Sequence, residues 1–226
     1  MEATRDGVSL KGNICRCGTC SCGFCRSGPS LCGHDYVRRT IHTNPLYFTI
    51  NGTHYSGEYG GSFPGSTLNG QSLPFLYCVD VNDYFYPGST YNATVSRNGT
   101  LFGSSTPVQN AGRIVWLLET YATAANSNTI QQAALQLSIW AQEYGPNFIV
   151  DSGTGQSIIN AYNAIANAGI GTTTDQATWI SPYNSDGSHA QAQVTLTPEP
   201  ASMAMIGIGV SGVAAFSWVR RRRNVV

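Results

Sequence analysis

The chain has 226 residues, a formal net charge of zero, and only 11% charged residues against 42% hydrophobic ones. Its middle carries Arg97 and Arg113 against eight carboxylates, which leaves no cationic surface for phosphate contacts and argues against a nucleic-acid partner. There is no P-loop, dinucleotide fingerprint or H-E-x-x-H zinc motif, so no cofactor is expected.

Residues 1–42 hold Cys15, Cys17, Cys20, Cys22, Cys25 and Cys32, with His34 nearby. Paired thiolates at Cys-x-x-Cys spacing suit zinc, and their ordinary setting is a reducing compartment. A second reading comes from the codons. With GC-rich codons, the stretch Cys15–Cys22 shifted forward by one base encodes Ala-Ala-Ala-Ala-Pro-Ala-Ala. That is the composition of a signal-peptide apolar region and its small-residue cleavage zone. On this reading residues 1–42 are an out-of-frame signal peptide. An unstructured tail is the third.

Residues 43–197, about 155 in all, suffice for one domain with its own core. Strand patterns come first. "LYFTINGTHYSG" sets Asn51-Gly52 between β-prone runs, a strong hairpin signal. "LPFLYCVDV" predicts a central strand, and "YNATVSRNGTLFG" a second hairpin around Asn98-Gly99. Then the period changes. "AGRIVWLLETYA" reads as a short helix. "NTIQQAALQLSIWAQEYG" reads as a longer one, capped by Asn128 with Gln131 placed for a capping box. Ile130, Ala133, Ala134, Leu137, Ala141 and Tyr144 mark one buried face of it. "GQSIINAYNAIANAG" predicts a third helix, with Ile158, Ile159, Tyr162 and Ile165 inward and Gly169 as its stop. "ATWISPY", an Asp186-Gly187 turn and "HAQAQVTLT" return to strand. The expected fold is α+β: a β-rich, sandwich- or barrel-like part with an inserted helical part, closed by a C-terminal hairpin.

With residues 1–42 set aside, Cys78 is the remaining thiol. A lone thiol in a strand is either a small buried hydrophobe or a reactive group. "LYCVD", "YPGSTYNA", "RIVWLLETY" and "QLSIW" together resemble the bacterial thioester domain of surface proteins, over roughly residues 73–145. That family's glutamine motif is close to Thr-Gln-x-Ala-Ile-Trp. Here it reads Leu135-Gln136-Leu137-Ser138-Ile139-Trp140, with Leu135 in place of Thr and Ser138 in place of Ala. The resemblance implies an internal thioester between Cys78 and Gln136, with Gln132 as the fallback glutamine. Tyr77 and Trp140 are placed to shield it from water, or simply to pack. A lysine amine on a target would open the bond and leave an amide, so the chemistry is single-use adhesion and not an enzyme's turnover. From Thr43 onward the chain has no lysine, so such a domain would not capture its own side-chain amines. A structural or carbohydrate-interacting matrix protein without the thioester is the alternative. A hydrolase using Cys78 would need a base such as His54. Asp80, Asn82 and Asp83 offer oxygens for calcium but lack the EF-hand spacing.

The chain finishes on "TPEPASMAMIGIGVSGVAAFSWVRRRRNVV". Ala201–Val219 is free of charge and, at ~1.5 Å per residue, about long enough to cross a ~30 Å apolar layer as a single transmembrane helix. Arg220, Arg221, Arg222 and Arg223 follow, and arginines beside a spanning helix stay cytoplasmic. Pro198-Glu199-Pro200 breaks the helix on its other side. The order Pro-Glu-Pro, apolar span and arginine cluster over 198–223 resembles the PEP-CTERM sorting signal. The resemblance implies export by way of the membrane, processing by an exosortase, and release to the cell surface or the exopolysaccharide matrix.

Overall fold

The computed structural model describes residues 8–11, 44–86, 88–175 and 177–197, the first of these by backbone alone. The chain divides into Met1–Leu196 and Thr197–Val226. The cysteine cluster, Pro198-Glu199-Pro200, the expected spanning helix and Arg220–Arg223 lie outside the described residues. Among the described residues no helix is long and apolar enough to cross a membrane.

The strands are β1 (Val8–Lys11), β2 (Pro45–Ile50), β3 (Thr53–Tyr59), β4 (Thr67–Leu68), β5 (Gln71–Ser72), β6 (Tyr77–Cys78), β7 (Thr90–Ser96), β8 (Phe148–Val150), β9 (Ala177–Tyr183) and β10 (Gln193–Leu196). Seven form one antiparallel sheet in the order β5-β4-β1-β7-β9-β10-β6, and β3-β2-β8 form another. The architecture is α+β. Among the described residues the large sheet runs open from β5 to β6, so they form no closed barrel. Within 1–42, the described strand β1 pairs with β4 and β7.

The first hairpin is present as expected. Asn51 and Gly52 both take positive φ, 50° and 80°, between the paired Ile50 and Thr53. Such a turn matches the strands' own twist. The second expected hairpin is not formed. Gly99 does turn the chain at φ 85°, but β7 pairs with β1 and β9 instead of with the residues after the turn. The Asn98 side chain takes up the local donors of Ser96 and Thr100, which stabilises a turn without any ladder. The expected central strand is also corrected. "LPFLYCVDV" supplies only the two-residue β6, at the edge of the sheet. It is fully buried all the same, because the chain at Phe63 and the long helix cover its outer side, with Phe63 N–H donating to Leu76 O at 3.0 Å. Burial produced the apolar run, and the ladder ends where the Thr195 side chain, and not its backbone, takes Phe75 O at 2.6 Å.

The helical part lies between β7 and β9. Helix α1 (Ala111–Leu117) continues into a π-helical turn (Leu118–Ala122) and a final α turn (Thr123–Ala125). Helix α2 (Thr129–Tyr144) is capped by Asn128, whose side chain accepts from Ile130 N and Gln131 N at 3.0 and 3.2 Å. Gln131 does not close the capping box, since the Asn128 N–H already donates to Ala125 O at 2.8 Å. The single buried face expected for α2 is wrong in kind. Every residue from Ala133 to Trp140 is buried, so the middle of this helix runs through the core instead of along its surface. Helix α3 (Gln156–Asn167) is the amphipathic one, with Ile158 and Ile165 buried while Ile159 and Tyr162 stay half-buried, and Gly169 at φ 79° follows its end. β9 and β10 pair antiparallel, from Ala177 opposite Leu196 to Ile180 opposite Gln193. They close the chain as expected.

Candidate functional site

The site is built where β6 meets α2. Val79 N–H donates to Ala192 O at 2.9 Å on the β10 side. Antiparallel alternation therefore turns the N–H and C=O of Cys78 outward, toward the open edge. An exposed edge would leave both to water, and here both are buried. The side chain of Gln136 answers them. Cys78 N–H donates to Gln136 Oε1 at 3.0 Å, and Gln136 Nε2 donates to Cys78 O at 2.7 Å. One carboxamide thus acts as a surrogate strand and ties α2 to the sheet edge. Gly60 makes room for it: a Cβ there would stand 2.5 Å from Gln136 Cγ.

The thiol itself points toward β10. Cys78 Sγ donates to Gln191 Oε1 at 2.9 Å and accepts from Gln193 Nε2 at 3.4 Å. Gln193 is the cross-strand partner of Cys78 and is fully buried. Gln191 is held in turn by its Nε2 donating to Asp80 O at 2.6 Å. Burial pushes the Cys78 thiol up from its ordinary range, the hydrogen bond from Gln193 works in the opposite direction, and the charge of Asp80 adds to the rise. A neutral thiol is therefore the resting form.

Tyr77 and Trp140 are both buried. Strand alternation sends Tyr77 to the face opposite Cys78, where it meets Phe75 edge-on at 6.0 Å. Trp140 packs on Phe48 with ring centroids 5.0 Å apart. Gln132, the fallback glutamine, donates from Nε2 to Asn126 O at 2.9 Å and does not bond Cys78. His54 pairs with Asp151 at 2.7 Å on the other sheet, and no histidine is among the thiol's hydrogen-bond partners in the described residues. Asp80 does not stand as a free calcium ligand, because its carboxylate accepts from Ala192 N at 2.7 Å and Asn82 N at 3.3 Å. Among the described residues there is no group of three metal-ligating side chains.

Sequence reasoning missed Gln191, Gln193 and Glu143. For the two glutamines the signal was available in "HAQAQ": Ala190 and Ala192 alternate with Gln191 and Gln193, so Gln191, just before β10, and Gln193, its first residue, fall on one side of the extended chain. Glu143 follows Gln136 by two helical turns. Burial, with the charge of Asp80 second, pushes its carboxyl up to about 9, and Asp80 is pushed up to about 6, chiefly by burial.

The arrangement has the parts of an acyl transfer. A nucleophilic sulfur and a carboxamide belong to residues in direct contact. The Cys78 N–H already points at the oxygen that would gain charge if the carbonyl carbon were attacked, which is the geometry of an oxyanion donor. Both partners are shut away from water, which protects an acyl product.

No curated protein and no solved structure matches the chain. Residues 196–223 match the PEP-CTERM protein-sorting motif. The chain therefore carries, in its last residues, the signal of an exported protein that is anchored in the membrane in transit and processed by an exosortase.

Proposed function

We propose that the exported domain forms an internal thioester between Cys78 Sγ and the side-chain carbonyl carbon of Gln136, and uses it once to attach covalently to an amine on a surface partner. The observation that carries this reading is the double hydrogen bond between Gln136 and Cys78, two buried residues separated by 58 positions in the chain. The two bonds hold the carboxamide on the main chain of the residue that carries the thiol, and this proximity, once Sγ leaves Gln191 Oε1 for the carbonyl carbon, lowers the entropic barrier to an otherwise poor acyl exchange. Atoms balance without a co-reactant. The S–C bond forms, the C–N bond breaks, and the thiol proton ends on the departing nitrogen, which leaves as ammonia. Opening by a lysine amine gives an amide on Gln136 and returns the proton to sulfur. The target is a lysine-bearing protein at the cell surface or an amine-bearing component of the exopolysaccharide matrix. Intact mass tests it. The body is expected to be lighter than its sequence by one ammonia, to take up methylamine, and to lose both properties in Cys78→Ala. A body mass equal to the sequence after mild handling sinks the reading.

A second reading has its own support. The Gln136 amide fully satisfies the edge of β6 as it stands, which is enough to explain a buried glutamine in a structural domain. Tyr84 and Tyr86 are exposed and adjacent, with ring centroids 6.4 Å apart, and tyrosine faces suit stacking on sugar rings. On this reading the protein is a carbohydrate-contacting matrix component with a free Cys78. Retention on exopolysaccharide that is lost in Tyr84→Ala and unaffected in Cys78→Ala would favour it.

A further inference from the structure

Gln193 is a costly residue to place where it is. It is wholly buried, and its Oε1 has no hydrogen-bond partner among the described residues. A leucine would fill similar space without a polar atom to desolvate. Its neighbours on the same sheet row behave as ordinary core: Ile180, opposite it on β9, is fully buried and apolar. What the glutamine does have is a position. It stands directly across from Cys78 in the ladder, with Nε2 3.4 Å from Sγ and braced at 3.1 Å on Gln191 O. The second bond fixes the amide so that the N–H, and not the oxygen, faces sulfur.

Resting on the thioester reading, we infer that Gln193 is a catalytic residue of that chemistry, its Nε2–H stabilising the charge that develops on Cys78 Sγ. The same charge appears twice. In formation the sulfur gives up its proton as it attacks the carbonyl carbon of Gln136. In capture the target amine expels sulfur as a leaving group before sulfur regains a proton. A donor fixed on Sγ lowers both barriers, and the effect is larger in a buried site than in water. The Cys78 N–H serves the carbonyl oxygen in the same steps, and Gln193 serves the sulfur. Gln191 Oε1, at 2.9 Å, holds the thiol proton away from that donor. Gln193 at the start of β10 and Gln191 just before it thus orient the S–H and stabilise the anion it leaves. The direction agrees with the influence of the Gln193 hydrogen bond, which favours the ionised thiol against burial.

The test uses the full exported body in three forms: wild type, Gln193→Met and Gln193→Glu. Each is opened with ammonium, which regenerates the amide and the thiol. After ammonium is removed, the return of the ammonia mass loss is followed with time, and opening by methylamine is timed separately. Gln193→Met is expected to slow both steps by about ten- to a hundred-fold, the range for a hydrogen bond to a charged group. Its urea midpoint should move little, because a buried oxygen without a partner leaves together with the donor. Gln193→Glu, which sets a carboxylate against the developing thiolate, is expected to be slower still. Unchanged rates in Gln193→Met overturn the inference while leaving the thioester intact. Loss of folding in both variants marks Gln193 as structural and also overturns it. Absence of the ammonia loss in wild type removes the thioester reading and this inference together.

Discussion

Replacing Gln136 by leucine isolates the pin between α2 and the sheet edge. The two side chains are similar in volume, so little cavity forms. What is lost is the pair of bonds to Cys78 N and Cys78 O, at 3.0 and 2.7 Å. Each main-chain group stays buried without a partner, at about 1–3 kcal/mol apiece. Burying an apolar side chain in place of an amide returns about 1–2 kcal/mol. Taken at the middle of these ranges the net loss is about 2–3 kcal/mol, a large share of the roughly 5–15 kcal/mol that holds a domain together. The comparison belongs in a Cys78→Ala background, where no covalent link contributes and the backbone groups at position 78 remain. Urea unfolding, followed by the fluorescence of the buried Trp140 and Trp179, should show the midpoint falling by about 0.5–2 M for Gln136→Leu, with the slope unchanged. A midpoint within about 0.2 M of the parent would mean that the amide does not hold the edge, and the reading of Gln136 as a surrogate strand would go with it.

Gly60→Ala drives a methyl to 2.5 Å from Gln136 Cγ and 3.0 Å from Leu46 Cδ1. It should cost about 1–3 kcal/mol by overpacking, and it should slow ammonia loss by displacing the amide; a stable variant with unchanged mass kinetics would show that the close approach is dispensable. The carboxyl of Glu143 has an ordinary value of 4.5 and sits near 9 when folded. The folded state therefore favours the protonated form, so its contribution to stability is complete below about pH 4.5 and is lost as pH rises through about 9. The urea midpoint should fall between pH 5.5 and 8.5, Asp80 acting in the same direction at the lower end, and Glu143→Gln should flatten that fall; an equal slope in the variant refutes the assignment. Asn128→Ala removes the acceptor for Ile130 N and Gln131 N and should lower stability by about 1 kcal/mol, with Asn128→Asp close to wild type in thermal unfolding.

Local chemistry was legible in the sequence and long-range neighbourhood was not. Asn51-Gly52 needs only its own backbone to turn, and Asn128 needs only the next two N–H groups to cap, so both could be read directly. The turn at Asn98-Gly99 was equally legible, but what followed it was not, because β7 takes β1 and β9 as partners from either end of the chain. Helix α2 misled for a related reason. A stripe at three- and four-residue steps implies one buried face, but Leu135, Gln136, Ser138 and Ile139 are buried as well. Small and neutral side chains, with one amide satisfied by a strand edge, let the helix sink into the core. Cys78 and Gln136 were paired by resemblance, and the fold brings them into contact. Gln193 was out of reach, because its meaning depends on which strand lies beside β6, and β10 is separated from it by the whole helical part.

Ammonia loss alone does not identify a thioester in this chain, and the physics of the site supplies the discriminating condition. Asn51-Gly52 and Asn98-Gly99 can each lose ammonia by cyclising to a succinimide, since glycine offers no side chain to hinder attack by its backbone nitrogen. That product hydrolyses onward to aspartate or isoaspartate and does not return to asparagine in ammonium. A Cys78–Gln136 thioester differs. Its formation leaves Cys78 O without the donor that departs with nitrogen, a cost of about 1–3 kcal/mol, on top of exchanging an amide for a weaker acyl bond. The offset is the dilution of ammonia, about 1.4 kcal/mol for each tenfold. Raising ammonium from about 1 µM to about 100 mM at fixed pH moves the balance by about 7 kcal/mol toward the amide. The missing mass should therefore return in ammonium and disappear again on dialysis, repeatedly, and only while Cys78 is present. A mass loss that persists in Cys78→Ala, or that ammonium leaves untouched, comes from the asparagine turns and says nothing about Cys78.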